Sequence, residues 1–416
     1  MRKVKLYLIL ILGFVLSSCH MPSQANVPYN HEPPTRPPLP METEKSGAEP
    51  DGLAPTLPMI TLTPNLPSEP IQLTATVWEE HPQAPVLMYH RFNPQPGVSS
   101  SRFVTSLSDF EQQLNALNNA GFSLVSLQDW LRGNIQLQEG RRPLIITIDD
   151  LFYGDQLSLD SQGIPANYSG VGLLWHFSQA NPVFNFEAAL FFNMGDKGYA
   201  NHYENGVFSV GDGWRQARAK VIAWGIENGA MPLNHFYEHP YLDRLSPEQI
   251  QWQMAQNDES LREALALIGR EDLNKHLPNI LALPYVVWPA TEEGKQVLYN
   301  YINPEGAPVA AIVDGDYAGG ARFLQAPFVG GFNRWHVPRI SVSSQSIEMI
   351  IDRADQIPTA RSCPLGEFWD NPHLMPETIA GAILSQVNAG KCPYGYYVVH
   401  QFVFLVQADG IIQFSP

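Results

Sequence analysis

Asp149 and Asp150 close a short apolar run, and further along the chain His235 and His239 stand at positions i and i+4. The run Leu144-Ile145-Ile146-Thr147-Ile148 is β-branched and uncharged, which predicts a buried strand. A strand that ends on two carboxylates delivers them to the rim of a sheet, where a ligand can reach them. Two imidazoles at i and i+4 can converge on one ion. With one carboxylate they make a facial O,N,N set that suits Zn²⁺, or a neighbouring divalent metal, with coordination positions left open. The other carboxylate is then free to act as a base. These residue types therefore predict metal-dependent hydrolysis. Each cluster alone has a plainer reading, because aspartate pairs cap loops and histidine pairs occur on solvated helix faces. Pro240 argues against a helix here, since the residue before a proline is pushed out of the α region.

The elements that must position these groups alternate. Strands are expected at Pro85–His90, 123–127, 144–148, 188–192, Leu281–Tyr285 and 310–313. Helices are expected at Leu107–Ala120, with Phe110, Leu114 and Leu117 on one face, at 173–180, at 211–228 and from Ser246 to about Ile268. In the last of these Ser246 fits an N-cap and Pro247 the first helical position. Alternating strands and helices of this length indicate parallel βαβ units, and the expected fold class is α/β, a distorted (β/α) barrel. Catalytic groups in such barrels come from the C-terminal ends of strands. His90, Asp149, Asp150, His235 and Pro284-Tyr285 all fall at or just past an expected strand end, which groups them as one site. Trp288, Phe332 and Trp335 are candidates for a sugar cleft or for the core, and 154–169 reads as a surface insertion in preference to a lid over the cleft.

Residues 1–18 read as a signal peptide: Arg2, Lys3 and Lys5 precede an apolar stretch, Leu6–Leu16, too short to span a bilayer. Leu16-Ser17-Ser18-Cys19 resembles a bacterial lipobox, which implies a lipid on Cys19 and an extracytoplasmic, membrane-anchored location. Residues 19–84, rich in proline, serine, threonine and glutamate, are expected to form a disordered tether. A catalytic domain is expected over 85–355 and a small appendage over 356–416, whose end reads as a hairpin. A formal net charge of −16 argues against nucleic acid as a partner. Cys363 and Cys392, in an exported chain, are expected to form a disulfide.

At these positions the chain resembles the polysaccharide deacetylases of the NodB-homology type (carbohydrate esterase family four), and in particular their circularly permuted branch. Pro85-Val86-Leu87-Met88-Tyr89-His90 is similar to the family's opening strand with its histidine, and Thr147-Ile148-Asp149-Asp150 to its Thr-Phe-Asp-Asp motif. Asn234-His235-Phe236-Tyr237-Glu238-His239 resembles the His-Ser/Thr-x-x-His motif, Leu283-Pro284-Tyr285 the Tyr-Pro-Tyr-Gly segment, and Val337-Pro338-Arg339-Ile340 a late Pro-Arg-Ile strand. The resemblance implies Asp150, His235 and His239 as ligands of Zn²⁺, Co²⁺ or Ni²⁺, and Asp149 as the base. It further implies His90 as the acid for the departing amine and the Tyr285 backbone N–H as a donor to the oxyanion. The substrate it implies is an N-acetylated polysaccharide, and a monomer is expected.

The chain also departs from the family's pattern. Leu151 stands where a glycine is usual, which disfavours φ > 0 there, and Phe236 replaces a Ser/Thr that steadies the histidine loop. Val286 replaces another glycine, and the arginine that many relatives place before Pro284 is absent, leaving Arg339 to orient the base. These replacements motivate an alternative, a catalytically impaired glycan-binding lipoprotein on the same fold. A third reading is a metal-dependent amidase acting on a small non-sugar substrate.

Overall fold

The computed structural model describes residues 71–414 except positions 96, 98, 102, 152–154, 196–212, 316–321 and 369–374. The expected signal peptide, the lipidated Cys19 and the tether up to position 70 lie outside the described residues. The chain runs through β1 (Ile71–Trp78), β2 (Gln83–Ala84), β3 (Val86–Tyr89), β4 (Arg91–Asn93) and β5 (Val104–Ser106), then the helix Leu107–Asn119, β6 (Phe122–Leu124) and the helix Leu127–Leu131. Strand and helix then alternate: β7 (Arg142–Ile148), helix Gly170–Ala180, β8 (Ala188–Phe192), helix Gly213–Asn228 and β9 (Ala230–Asn234). Helix Pro247–Leu267, β10 (Ile280–Ala282), helix Glu292–Asn300 and β11 (Ala311–Val313) continue the pattern. β12 (Leu324–Gln325), β13 (Ile340–Ser341) and the helix Ser344–Asp352 come next. The last elements are β14 (Arg361–Phe368), the helix Pro376–Asn388, β15 (Gly395–Val399), β16 (Phe402–Gln407) and β17 (Gly410–Phe414).

The fold is α/β, built on a parallel sheet ordered β11-β10-β9-β8-β7-β3-β13, with β6 also paired to β7. Parallel strands are covered on both faces, so they read as continuous apolar runs. β7 and β8 fit this, being buried along almost their whole length. Successive side chains point to opposite faces: Ile146, Ile148 and Leu190 pack with the helices, while Ile145, Ala189 and Phe191 pack on the other face. One segment curls the sheet. Val337 bridges to Val313 at the β11 edge, and Ile340 then pairs with Leu87 of β3, so the same stretch of chain bonds to both edges. Ser246 caps the helix Pro247–Leu267 through a capping box with Gln249.

Two expected boundaries are corrected. β1 and β2 lie within the stretch 19–84 expected as tether, and β1 sits second in a sheet ordered β14-β1-β15-β16-β17. The 356–416 segment is therefore no independent appendage, since β1 supplies one of its inner strands. Leu73, Ala75 and Val77 alternate along β1 and bury against Ile379 and Ile383 of the helix Pro376–Asn388. The strand expected at 281–285 ends at Ala282, because Tyr285 turns to φ +53° after Pro284. Among the described residues no helix is long and apolar enough to cross a membrane.

Cys363 on β14 and Cys392 beyond the helix Pro376–Asn388 form a disulfide across a sequence separation of 29, inside the core of this second sheet. A crosslink closing a loop of that length removes unfolded-state entropy equivalent to about 3–4 kcal/mol. The Cys363→Ala/Cys392→Ala double variant is therefore expected to lower unfolding free energy by about that amount in urea denaturation. An unchanged midpoint would show that packing alone holds the sheet.

Candidate active site

β7 carries the carboxylates to the sheet rim. The Asp149 N–H still continues the ladder, donating to Tyr89 O at 2.9 Å, and the chain then turns at Asp150, whose φ is +55°. The left-handed turn thus falls one residue earlier than the usual glycine, on a residue type that tolerates it. Leu151 is free to bury in the core. Asp149 is itself buried, and Arg339 Nη1 meets its Oδ1 at 2.5 Å. Arg339 is only 1% exposed; its Nε donates to Asp314 O at 2.9 Å and its guanidinium lies over the Phe191 ring. Burial raises the Asp149 pKa, but Arg339, then His235 and His90, outweigh it and hold the carboxyl down at about 2.

His235 follows directly on β9. Its Nδ1 donates to Ala282 O at 2.9 Å, which fixes the tautomer and leaves the Nε2 lone pair facing the carboxylates. Burial lowers its pKa to about 3, despite the opposing pull of Asp149, so the ring is neutral. His239 adopts φ +51° before Pro240. The pair lies in an irregular loop and not on a helix.

Asp150 Oδ1 stands 3.6 Å from His235 Nε2 and 3.3 Å from His239 Nε2. Both separations are longer than an ordinary hydrogen bond. They approach the edge of a coordination polyhedron, about 2.9–3.4 Å for ligands bound at 2.0–2.1 Å. One ligand atom from each of the three residues lies within 4.8 Å of the others. A neutral imidazole with a fixed tautomer, a second imidazole and a carboxylate are a donor set for a divalent ion, so the residues fit the group. Asn193 Nδ2 donates to Asp150 Oδ1 at 3.2 Å and orients that carboxylate.

His90 enters from the end of β3. Gln156 Nε2 donates both to His90 O at 2.7 Å and to Asp149 O at 2.9 Å, so one buried amide binds the two strand ends together. The segment expected as a surface insertion is therefore, in its described part, a support for the site. Asp155 of the same segment pairs with Arg91 at 3.0 Å. Tyr285 stacks on Tyr241 at 4.0 Å between ring centres and meets the His239 ring edge-on at 4.3 Å. Phe103, 52% exposed, meets the His90 ring at 5.1 Å. Trp288, Phe332 and Trp335 are half-buried, between the two roles expected for them.

Non-glycine residues with positive φ gather here: Asp150, Phe236, His239, Tyr285 and Val286, with only Asn185 and His400 elsewhere among the described residues. Such conformations cost of order 1–3 kcal/mol each and persist where surrounding structure over-determines them. The Phe236 N–H donates to Asn234 Oδ1 at 2.9 Å, so the preceding asparagine takes over what a Ser/Thr hydroxyl would do. Val286 at φ +57° is accommodated because Gly315 leaves room; a Cβ there would come within 3.0 Å of Val286 Cγ2. Asn193, Asn234 and Gln156 are supports of the site that no sequence motif points to. The signal available for the first two was an amide residue at the end of an apolar strand.

No protein-family model and no curated protein matches the sequence. Solved structures do resemble it. The deacetylase PplD of Streptococcus pyogenes is 14% identical, with a TM-score of 0.41 over 66% of this chain and 98% of its own. IcaB of Ammonifex degensii is 19% identical, with a TM-score of 0.39 over 66% and 98%. The polysaccharide deacetylase BC0361 of Bacillus cereus is 15% identical, with a TM-score of 0.42 over 66% and 69%.

The Arg339–Asp149 pair gives a prediction in the metal-free protein. A carboxyl whose folded pKa lies below its unfolded value stabilises the fold above the unfolded pKa of 3.8, and that contribution is lost as pH falls towards about 2. Arg339→Met leaves burial as the dominant influence and reverses the sign, so the Asp149 contribution falls as pH rises through 4. At pH 7 the variant is expected to be less stable by about 3–5 kcal/mol, the cost of an orphaned buried charge. Urea denaturation across pH measures both, and parallel stability–pH curves for variant and wild type would contradict the assignment.

Proposed function

We propose that the protein is a metal-dependent hydrolase that removes N-acetyl groups from an N-acetylhexosamine polysaccharide. The observation that carries this reading is an ionised carboxylate, Asp149, held by Arg339 beside a separate O,N,N ligand set. Asp150, His235 and His239 would hold the divalent cation, with Zn²⁺ the first candidate and Co²⁺ or Ni²⁺ alternatives. When bound, such an ion lowers the pKa of water and polarises a carbonyl.

Asp149 takes the proton of the attacking water. Arg339 occupies its Oδ1, and Oδ2, 3.8 Å from His235 Nε2, faces the ligand set. The water oxygen bonds to the acetamide carbon, and the backbone N–H of Tyr285 donates to the developing oxyanion. The C–N bond then breaks as His90 gives a proton to the leaving amine, a task suited to an imidazole near neutral pH. Acetate and a free amino sugar are the products. Tyr285, 44% exposed, and Phe103 offer apolar surface for pyranose rings beside His239 and His90. The lipid expected on Cys19 would hold this activity at the cell envelope.

Acetate release from chitooligosaccharide, β-1,6-linked N-acetylglucosamine oligomers and peptidoglycan by metal-loaded protein tests the reading. Asp149→Asn is expected to retain the metal and lose about 10²–10⁴-fold in turnover, the usual worth of a positioned base. No acetate from any of the three polymers would sink the activity. Saturable glycan binding without turnover, unaffected by Asp149→Asn, would favour the glycan-binding alternative, which the replacements Leu151, Phe236 and Val286 motivate.

A further inference from the structure

The helix Pro247–Leu267 turns an unusual face towards the site. A helix packed on a sheet buries apolar residues on its inner stripe. Here Gln253 and Asn257, one turn apart, are almost completely buried, and Asp258 lies beside them on the same side. A buried amide costs free energy unless its donors and acceptors are paired, so the destinations of these bonds matter. More than half go to the chain around the histidines, and the others to the end of β8 and to Tyr301.

Gln253 Oε1 accepts from the Glu238 N–H at 2.8 Å, its backbone carbonyl accepts from the Tyr237 N–H at 3.1 Å, and its Nε2 donates to Glu238 Oε2 at 2.9 Å. Asn257 Oδ1 accepts from the Met194 N–H at 2.8 Å, and its Nδ2 donates to Phe192 O at 3.0 Å, the same carbonyl that accepts from the His235 N–H. Asp258 Oδ1 accepts from Asn234 Nδ2 at 2.6 Å and its Oδ2 from the Tyr301 hydroxyl at 2.7 Å. Asn234, clamped in this way, accepts the Phe236 N–H. The N–H groups of Phe236, Tyr237 and Glu238 are thus all taken up by groups that the helix supplies or fixes. The loop they belong to makes no helix or strand of its own and carries positive φ at both Phe236 and His239.

We propose that Gln253, Asn257 and Asp258 are positioning residues for the metal site, holding the 234–239 loop in the strained backbone that aims His235 and His239 at one point. The inference rests on the reading that Asp150, His235 and His239 bind a divalent metal. The loop then needs no glycine or hydroxyl of its own, because the helix supplies the restraint. Partners of this kind behind a ligand typically contribute 10–100-fold to metal affinity.

The test is Co²⁺ titration of the full chain, followed by the visible absorption of the bound ion, which reports both affinity and coordination. Gln253→Met keeps the volume and removes the side-chain bonds to Glu238. Gln251→Met makes the same change on the exposed face of the helix and serves as the control. Gln253→Met is expected to weaken Co²⁺ binding by about 10–100-fold and to change the spectrum, while Gln251→Met binds as the wild type does. Tyr301→Phe, a milder change that loosens Asp258, is expected to weaken binding in the same direction, and it carries the test should Gln253→Met fail to fold. Wild-type affinity and spectrum in both Gln253→Met and Tyr301→Phe, or in Tyr301→Phe alone should Gln253→Met not fold, would overturn the inference and leave the metal reading standing. A wild-type protein that binds no Co²⁺ would overturn both.

Discussion

A carboxylate buried as deeply as Asp149 can stay charged only beside a fixed positive partner, and the rest of the barrel is arranged so that Arg339 can be that partner. Arg339 sits on a segment that reaches both edges of the parallel sheet, bonded to β11 through Val337 and to β3 through Ile340. Closing the sheet and delivering the guanidinium are the same structural event. Its remaining bonds, to the Asp314 carbonyl and towards Thr147, leave it little freedom to retreat from Asp149. A carboxylate fixed and ionised in this way would need no reorganisation to take a proton in the proposed role of base.

The second constraint is backbone strain at the points where strands end. Left-handed residues at Asp150, Phe236, His239, Tyr285 and Val286 bend three separate chain segments towards one point. The surroundings compensate with side-chain amides: Asn234 on Phe236, Asn193 on Asp150, Gln156 on the ends of β3 and β7. Among the described residues such breaches of local rules concentrate at the site, with Asn185 and His400 the others, and that is where they are expected when a site must do chemistry.

Much of this was legible in the sequence. Residues 144–148 of β7 and Ala188–Phe192 of β8 announce themselves as uncharged apolar runs, and the Ser246-Pro247 start of the long helix follows from capping chemistry. The convergence of Asp150, His235 and His239 could be anticipated because each follows a strand, and parallel strands end on one side. β1 was not legible as part of the folded domain, although Leu73, Ala75 and Val77 alternate as a strand should. Its partners β14 and β15 lie about 280 to 320 residues away, as in the pairings of Thr76 with Ser362 and with Val398, and a proline-rich neighbourhood masks the pattern. The turns at Asp150 and Val286 were hidden for a different reason. Residue type predicts where φ > 0 is cheap, whereas here the cost is accepted and offset by distant groups such as Gly315.

The proposed chemistry depends on Asp150, His235 and His239 sharing one metal ion. Anomalous scattering from crystals soaked in Zn²⁺ or Co²⁺ measures this most directly. A single strong peak bonded to Asp150, His235 Nε2 and His239 Nε2, with Asp149 outside the ligand set and still paired to Arg339, is the expected result. A peak elsewhere, no peak at all, or Asp149 drawn in as a ligand would contradict it.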